Sequence, residues 1–430
     1  MALYAFVALG LPDGLLGTAW PSVRRSFGAP LADLGLVLIV GTIGSVASSS
    51  VAGVVLGRWG LARAVVLAGS LGGGGAVAVV LSPGLWLFIA GAGALGVAAG
   101  LLDSSLNAAI ALANRTRLLN LLHACYGLGA TVGPLIVTSA VLAGDWRSSY
   151  LALVLVEGIM VAGWLATGRP HAPAALAAPP RAAASSLPGA SPSTTALPQS
   201  TALPQSTALP ATNPGPGPQA AAASRGARTV GRVALGLAVF ALCTGLEVSA
   251  GQWAPSFDRS VLHLSAGLTG LATFGYWGAL TLARFALAVP EAPPKPATVV
   301  RWGCTVALLG TAVAWWRPTA SVAMVGLVTV GAAVAGVFPA LVALTPARVG
   351  EQMAHHVIGW QIGAASVGGS LISAALGGVF QRWGLSLFGP SLAVVASALV
   401  MGAAILGREQ PAPGRGQPAP GRARPARGQS

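Results

Sequence analysis

The sequence predicts an all-α polytopic membrane protein with twelve transmembrane helices in two pseudo-symmetric six-helix halves. Three observations predict it. Hydrophobic residues make up 54% of the 430 and charged ones 8%, giving a mean hydropathy of +0.74. Apolar runs long enough to cross a bilayer fall into two groups separated by a Pro-rich stretch. Short features of the first group recur in the second at one fixed offset. A soluble domain carries about 25% charged residues, and no water-soluble fold hides this much apolar surface behind so few charges. Most soluble enzymes, nucleic-acid readers and secreted modules are excluded at the outset.

A membrane span takes roughly 20 apolar residues at about 1.5 Å each. Such runs lie near 1–22, 33–56, 64–82, 85–111, 118–143 and 149–167, and again near 232–254, 265–289, 302–316, 321–343, 356–380 and 386–406. They are rich in Ala, Leu, Gly and Val and do not alternate, and a bilayer interior admits only helices or closed barrels. The opening MALYAFVALG lacks a basic n-region, and Asp13 interrupts its apolar stretch, so a first membrane helix is expected rather than a cleaved leader. It starts at Met1 with no cytoplasmic tail, which leaves room for a start codon further upstream. Residues 168–230 hold repeated TALPQS units followed by NPGPGPQ. Pro and Gly at this density, with almost no aromatic residues, build no packed core and are expected to form a disordered linker. The expected organisation is an N-terminal bundle over 1–167, a cytoplasmic linker over 168–230, a C-terminal bundle over 231–407 and a basic tail over 408–430.

The net charge of +14 comes from 24 Lys+Arg against 10 Asp+Glu. With the N-terminus inside and the helices alternating, the short inner segments carry Arg58, Arg63, Arg115, Arg117, Arg284, Lys295, Arg301 and Arg348, and the linker and tail carry most of the remainder. The outer side holds Arg24, Arg25, Arg147, Arg259, Arg317 and Arg382. This positive-inside bias sets both termini in the cytoplasm of a cell inner membrane, with Arg24 and Arg25 against the trend. Basic segments beside an anionic leaflet account for the charge without nucleic acid. Cys125, Cys243 and Cys304 lie far apart in apolar stretches with no CxxC, and read as buried small side chains.

At an offset of 234, Asp13 meets Glu247, Gly17 meets Gly251, Pro21 meets Pro255 and Ser22 meets Ser256. The same offset sets Tyr126-Gly-Leu-Gly-Ala130 against Trp360-Gln-Ile-Gly-Ala364. A six-helix offset preserves orientation, giving two parallel halves related by an axis along the membrane normal. Between the second and third helices runs G-V-V-L-G-R-W-G-L-A-R (Gly53–Arg63), which resembles the inner-loop signature G-x-x-x-D-R-x-G-R-R of the major facilitator superfamily. Gly53, Arg58 and Gly60 fall on its positions, Arg63 stands in for the trailing basic residues, and Gly57 replaces its Asp. The resemblance implies a major facilitator fold, with these four residues forming a cytoplasmic gating loop and a substrate site between the halves. Within the superfamily, the Asp13 segment, L-L-D-S-S-L-N (Leu101–Asn107), N-L-L-H-A-C-Y-G-L-G-A-T-V-G-P (Asn120–Pro134), G-L-E-V-S-A-G-Q-W (Gly245–Trp253) and Y-W-G-A-L-T-L-A-R-F (Tyr276–Phe285) look most like the fucose-permease-type sugar:proton symporters. In those, an acid in the first helix and another in the fourth serve sugar binding and proton coupling, and Asp13 and Asp103 match in type and helix.

An ionised carboxylate at mid-bilayer costs at least about 2.5–3.5 kcal/mol, so it is kept only where it faces a cavity or a partner. Asp13, Asp103, Glu157 and Glu247 all fall within predicted helices. Asp103 lies one turn from Asn107 and at similar depth to His123, a trio suited to binding hydroxyls and relaying a proton. A polar cluster gluing helices four and five is the alternative. Asp13 and Glu247 either flank a central cavity or accept hydrogen bonds from backbone freed at Gly/Pro kinks. Glu157, among apolar neighbours, reads as a lipid-edge acid and is set aside. Tyr126, Gln252, Tyr276, Trp360 and Gln361 join the candidate substrate- and proton-binding residues, since rings stack on sugar faces and amides pair adjacent hydroxyls. Trp20, Trp59 and Trp253 also suit an interfacial belt. Gly53/Gly57, Gly96/Gly100, Gly129/Gly133 and Gly359/Gly363 are small-xxx-small pairs that permit close helix contact.

Motifs for metalloprotease, serine-nucleophile or ATP chemistry (HExxH, GxSxG, GxxxxGK[ST]) are absent, and His355–His356 reads as a solvated turn. The expectation is no enzyme, no metal and no cofactor beyond a proton or other ion gradient, in a monomer whose partners are a small-molecule substrate and the bilayer. Symport of a sugar or similar polar solute is the leading reading. Proton-antiport export of amphipathic compounds is the alternative, and a non-transporting sensor or scaffold is a third.

Overall fold

The structure, a computed structural model, describes residues 1–112, 116–167, 218–288 and 294–408. The linker over 168–217, the tail beyond Arg408 and the inner-loop Arg115 lie outside the described residues. In chain order the helices are α1 (Ala2–Phe27), α2 (Asp33–Val80), α3 (Leu85–Leu112), α4 (Thr116–Leu142) and α5 (Ser148–Thr167), followed by α6 (Pro218–Ser260), α7 (Ala266–Ala288), α8 (Pro296–Trp316), α9 (Ala320–Val334), α10 (Val337–Ala343), α11 (Thr345–Val349), α12 (Glu351–Trp383) and α13 (Phe388–Arg408). No strand occurs among the described residues.

Among the described residues, ten helical stretches are long and apolar enough to cross a membrane. One of them, α2, spans 48 residues and bends at Gly60, whose φ of 77° and ψ of 166° suit only glycine. The second and third predicted helices are therefore one rod with a corner, and counting it twice adds a crossing. The polar helix α7, with Thr269, Thr273, Tyr276, Thr281 and Arg284, falls below the hydropathy of the ten and supplies the twelfth. Two boundaries differ from expectation. The tenth predicted helix breaks between α9 and α10 at Ala335–Gly336, and residues 218–230, assigned to the linker by composition, begin α6, where an Ala-rich run favours helix.

The same contact pattern is drawn twice. α1 packs on α4 as α6 packs on α12, α2 on α3 as α8 on α9, and α2 on α5 as α8 on α13. Glycines let the backbones meet. A Cβ on Gly133 would lie 2.8 Å from the carbonyl carbon of Gly14, and one on Gly96 or Gly100 would strike the backbone of Gly41 or Ser45. Gly53, Gly57, Gly359 and Gly363 face open space instead, so two of the four expected small-residue pairs make no close contact.

Alternation puts Met1, Gly60, Arg232, Arg348 and Arg408 on one face and the Gly28–Ala32 turn on the other. The two halves are sealed at the Gly28 face. Leu31 N–H donates to Gln381 Oε1 at 2.7 Å, Gly35 of α2 lies on Ala374 of α12, and Gly17 of α1 lies on Gln252 of α6. One buried core joins both halves there. Toward the Gly60 face the halves part: the first half keeps a core of its own, built on Phe6, Val65, Leu102, Leu106 and Leu122, while His123 and Trp360 are exposed.

The six arginines of the sealed face each engage a carbonyl or a ring. Arg24, Arg25 and Arg259 donate to main-chain carbonyls, and Arg147, Arg317 and Arg382 lie over Phe27 and Trp146, Phe257, and Trp383. Trp20 and Trp253 are not belt residues. Both are fully buried, with their indole N–H groups donating to Leu31 O at 3.2 Å and to Ser373 at 3.0 Å. Trp86, Trp315, Trp316 and Trp383 carry the exposed rings of that face.

Candidate functional site

Where the seam ends, each half presents a carboxylate from its first helix. Asp13 of α1 accepts the phenol O–H of Tyr126 from α4 through Oδ2. From the other half, Gln252 of α6 donates its amide to the Asp13 main-chain carbonyl at 2.9 Å. Close by, Thr131 of α4 and Thr281 of α7 pair their hydroxyls across the seam at 3.1 Å. Polar side chains thus stitch the halves in the middle of an otherwise apolar protein.

Glu247 of α6, at the position matching Asp13, is held differently. Arg284 of α7 donates through Nη2 to both carboxylate oxygens, at 3.0 and 3.2 Å. Its Nε turns to the carbonyl of Ala335 at 3.4 Å, at the break between α9 and α10. Tyr276 O–H donates to the Glu247 main-chain carbonyl at 2.7 Å. An ion pair inside a membrane helix bundle is tolerated when each charge finds such partners. Arg284 and Glu247 are both electrostatic neighbours of Tyr126, so the two pairs form one patch.

A third group lies nearer the open face. Asn107 Nδ2 donates to Asp103 Oδ1 at 2.9 Å along one turn of α3. His123 of α4 sits edge-on to Phe6 at 5.7 Å and interacts electrostatically with both Asp103 and Arg284. Arg284 is therefore an electrostatic neighbour of His123 as well as the partner of Glu247. Three buried polar atoms around this path have no partner: Gln252 Oε1, Trp277 Nε1 and Asn107 Oδ1. Buried polar atoms are almost always satisfied, and exceptions concentrate at functional sites.

The sequence profile of the Major Facilitator Superfamily matches residues 2–373. The chain belongs to the major facilitator superfamily. It is a membrane transporter, not an enzyme. Among solved structures, the D-xylose-proton symporter superposes with a TM-score of 0.69 at 13% identity, covering 95% of this chain and 96% of that one. The inward open conformation of the xylose transporter XylE from E. coli gives 0.66 at 13%, with 95% of each chain covered. Its partially occluded inward open conformation gives 0.64 at 14%, covering 96% of this chain and 98% of that one. At this identity the likeness is one of fold. None of the curated proteins matches the sequence.

The bundle of this superfamily member brings Asp13, Tyr126, Glu247, Gln252 and Tyr276 to one level, with Asp103, Asn107 and His123 beside it. It does not bring Trp360 or Gln361 there. Trp360, matching Tyr126 in the repeat, is 56% exposed, and Arg284 is the side-chain partner of Glu247. Gln361 is buried against Thr345, whose hydroxyl donates to its Oε1 at 2.9 Å. Gly60 forms the bend of α2, with Arg58, Arg63 and Gly53 exposed around it. Charge pattern alone assigned Arg284 to an inner loop; its place inside the predicted helix 265–289 was the signal that it needs an acid. Glu157 is not at the lipid edge. It is 6% exposed, points at Gly69 and Gly72 of α2, and leaves Oε2 unpartnered. His355 and His356 lie within α12 rather than in a turn, and no cluster of three metal-binding side chains occurs among the described residues.

Proposed function

We propose that this chain is a secondary active transporter of the cytoplasmic membrane, with both ends inside, that carries a sugar or similar small polar solute in symport with protons by alternating access. One observation carries the reading: a carboxylate from the first helix of each half stands at the seam, each held by a partner from its own half, with Gln252 crossing between them. A polyol presents hydroxyls that suit the unpartnered Gln252 Oε1 and Trp277 Nε1. The D-xylose-proton symporter, whose fold this chain resembles, is named for the same kind of cargo and coupling.

In this mechanism Asp13 and Asp103 load and release the proton, with Tyr126 and Asn107 orienting them. Sealing at the Gly28 face and parting at the Gly60 face correspond to an inward-facing state. The Gly53–Arg63 corner then serves as the gating loop, its basic side chains meeting the inner surface. One chain holds both walls of the site, so a monomer suffices.

The test is uptake of labelled pentoses and hexoses into proteoliposomes under an inward proton gradient. Accumulation that an uncoupler abolishes is expected. Asp13→Asn and Asp103→Asn should each lose accumulation while keeping exchange of substrate across the membrane. Unaltered accumulation in both variants overturns the coupling assignment. Export of an amphipathic cation, without uptake of any polyol, overturns the reading.

A further inference from the structure

Away from the seam, on the Gly60 face of the second half, a cavity of about 60 Å³ opens between the start of α6, the α11 turn, α12 and the end of α13. Its wall includes Arg232, Gly236, Thr345, Arg348, Gln361 and Leu406. Two cations line one small cavity, with the Thr345 hydroxyl and the Gln361 carboxamide also in its wall. The central observation is Arg348. Its Nε and Nη1 are both buried, and neither has a hydrogen-bond partner. Burial pulls its pKa below the usual arginine value, yet a guanidinium stays protonated in proteins. A buried cation with empty donors is costly unless an oxyanion completes it.

We infer that this cavity binds a phosphate oxyanion, with Arg348 as the principal donor and Arg232 as the second positive charge. Thr345 and Gln361 already share a hydrogen bond, which ties the α11 turn to α12 at the cavity wall. The size admits one tetrahedral group and little more. Its position, at the helix ends of the face that carries Arg58, Arg63, Arg301 and Arg408, is where a phospholipid headgroup or free phosphate would approach. An occupant would tie α6, the α11 turn and α13 together. It would thereby stiffen the second half without touching Asp13 or Glu247.

Thermal unfolding of the full chain in a neutral detergent tests this. The probes are inorganic phosphate against chloride at equal ionic strength, and phosphatidylglycerol against diacylglycerol with the same acyl chains. A rise in melting temperature of several degrees is expected, and Arg348→Gln should lose it. Because Arg348→Gln removes an unpaired buried charge, its melting temperature without ligand should not fall. Arg348→Lys, which keeps the charge and loses the planar donor set, should need about tenfold more ligand, and it reads the same site should Arg348→Gln fail to purify. A shift with phosphatidylglycerol alone assigns the headgroup as the source, and a shift with both probes admits the free ion. No shift with either probe, or an equal shift in the wild type and both Arg348 variants, overturns the proposal.

Discussion

Arg284 grips both carboxylate oxygens of Glu247, at 3.0 and 3.2 Å, from inside a membrane helix. The pair is mostly shielded, with side-chain exposures of 25% and 14%. Removing one partner from such a pair leaves a charge that must be accommodated alone, at a cost of about 3 kcal/mol. Arg284→Gln and Glu247→Gln should therefore each lower the melting temperature, Arg284→Gln more, because it also frees the Ala335 carbonyl. The double variant should recover much of the loss. A double variant no better than the worse single one would mean that the two charges do not depend on each other.

Tyr126 offers a second test. Its phenol is the side-chain donor to the Asp13 carboxylate, and a hydrogen bond to a charged group contributes about 1.5–3 kcal/mol. Tyr126→Phe keeps the ring and deletes only that donor. The expected result is a tenfold or greater loss of proton-driven uptake, with a displaced pH profile and near-normal folding. A profile that stays in place would remove Tyr126 from the coupling path.

Much of this architecture is legible in the chain. Run lengths locate the crossings, and the Asp13/Glu247 match at one offset locates the first helix of each half. What composition hides are the places where a local signal and its tertiary use diverge. Gly57-Arg58-Trp59-Gly60 reads as a loop between helices, yet one φ-permissive residue turns a corner without ending the rod. Residues 218–230 are Ala-rich as well as linker-like, and α6 begins within them. Arg284 and Glu157 differ from expectation for one reason: hydropathy shows that a charge lies in a helix, not which way it points. Trp360 matches Tyr126 in sequence, but the partner of Glu247 in the second half is the Arg284 cation rather than an aromatic ring.

The seam gives a third prediction. A Cβ on Gly35 would lie 2.6 Å from the Ala374 Cα, across the joint between the halves. Gly35→Leu cannot close that joint, so the equilibrium should move toward the state open at the Gly28 face. Transport should fall at least tenfold. A cysteine placed at the Gly28 face near the seam should become more reactive to a membrane-impermeant thiol reagent, while one near His123 becomes less so. Unchanged labelling at both positions would mean that this contact does not govern the opening.

Glu157 carries the last. It is enclosed by α1, α2, α3 and α5 beside a void of only about 10 Å³, and Oε2 has no hydrogen-bond partner. A methionine occupies similar volume and places no polar atom there. Replacing a buried polar group that lacks a partner with a well-packed apolar one stabilises by about 1–3 kcal/mol. Glu157→Met should therefore raise the melting temperature by a few degrees while transport and its pH dependence stay as in the wild type. The opposite result, a stable variant that no longer accumulates substrate, would make Glu157 part of the proton path through the first half. Asp13 and Asp103 would then have to share that work with a third acid.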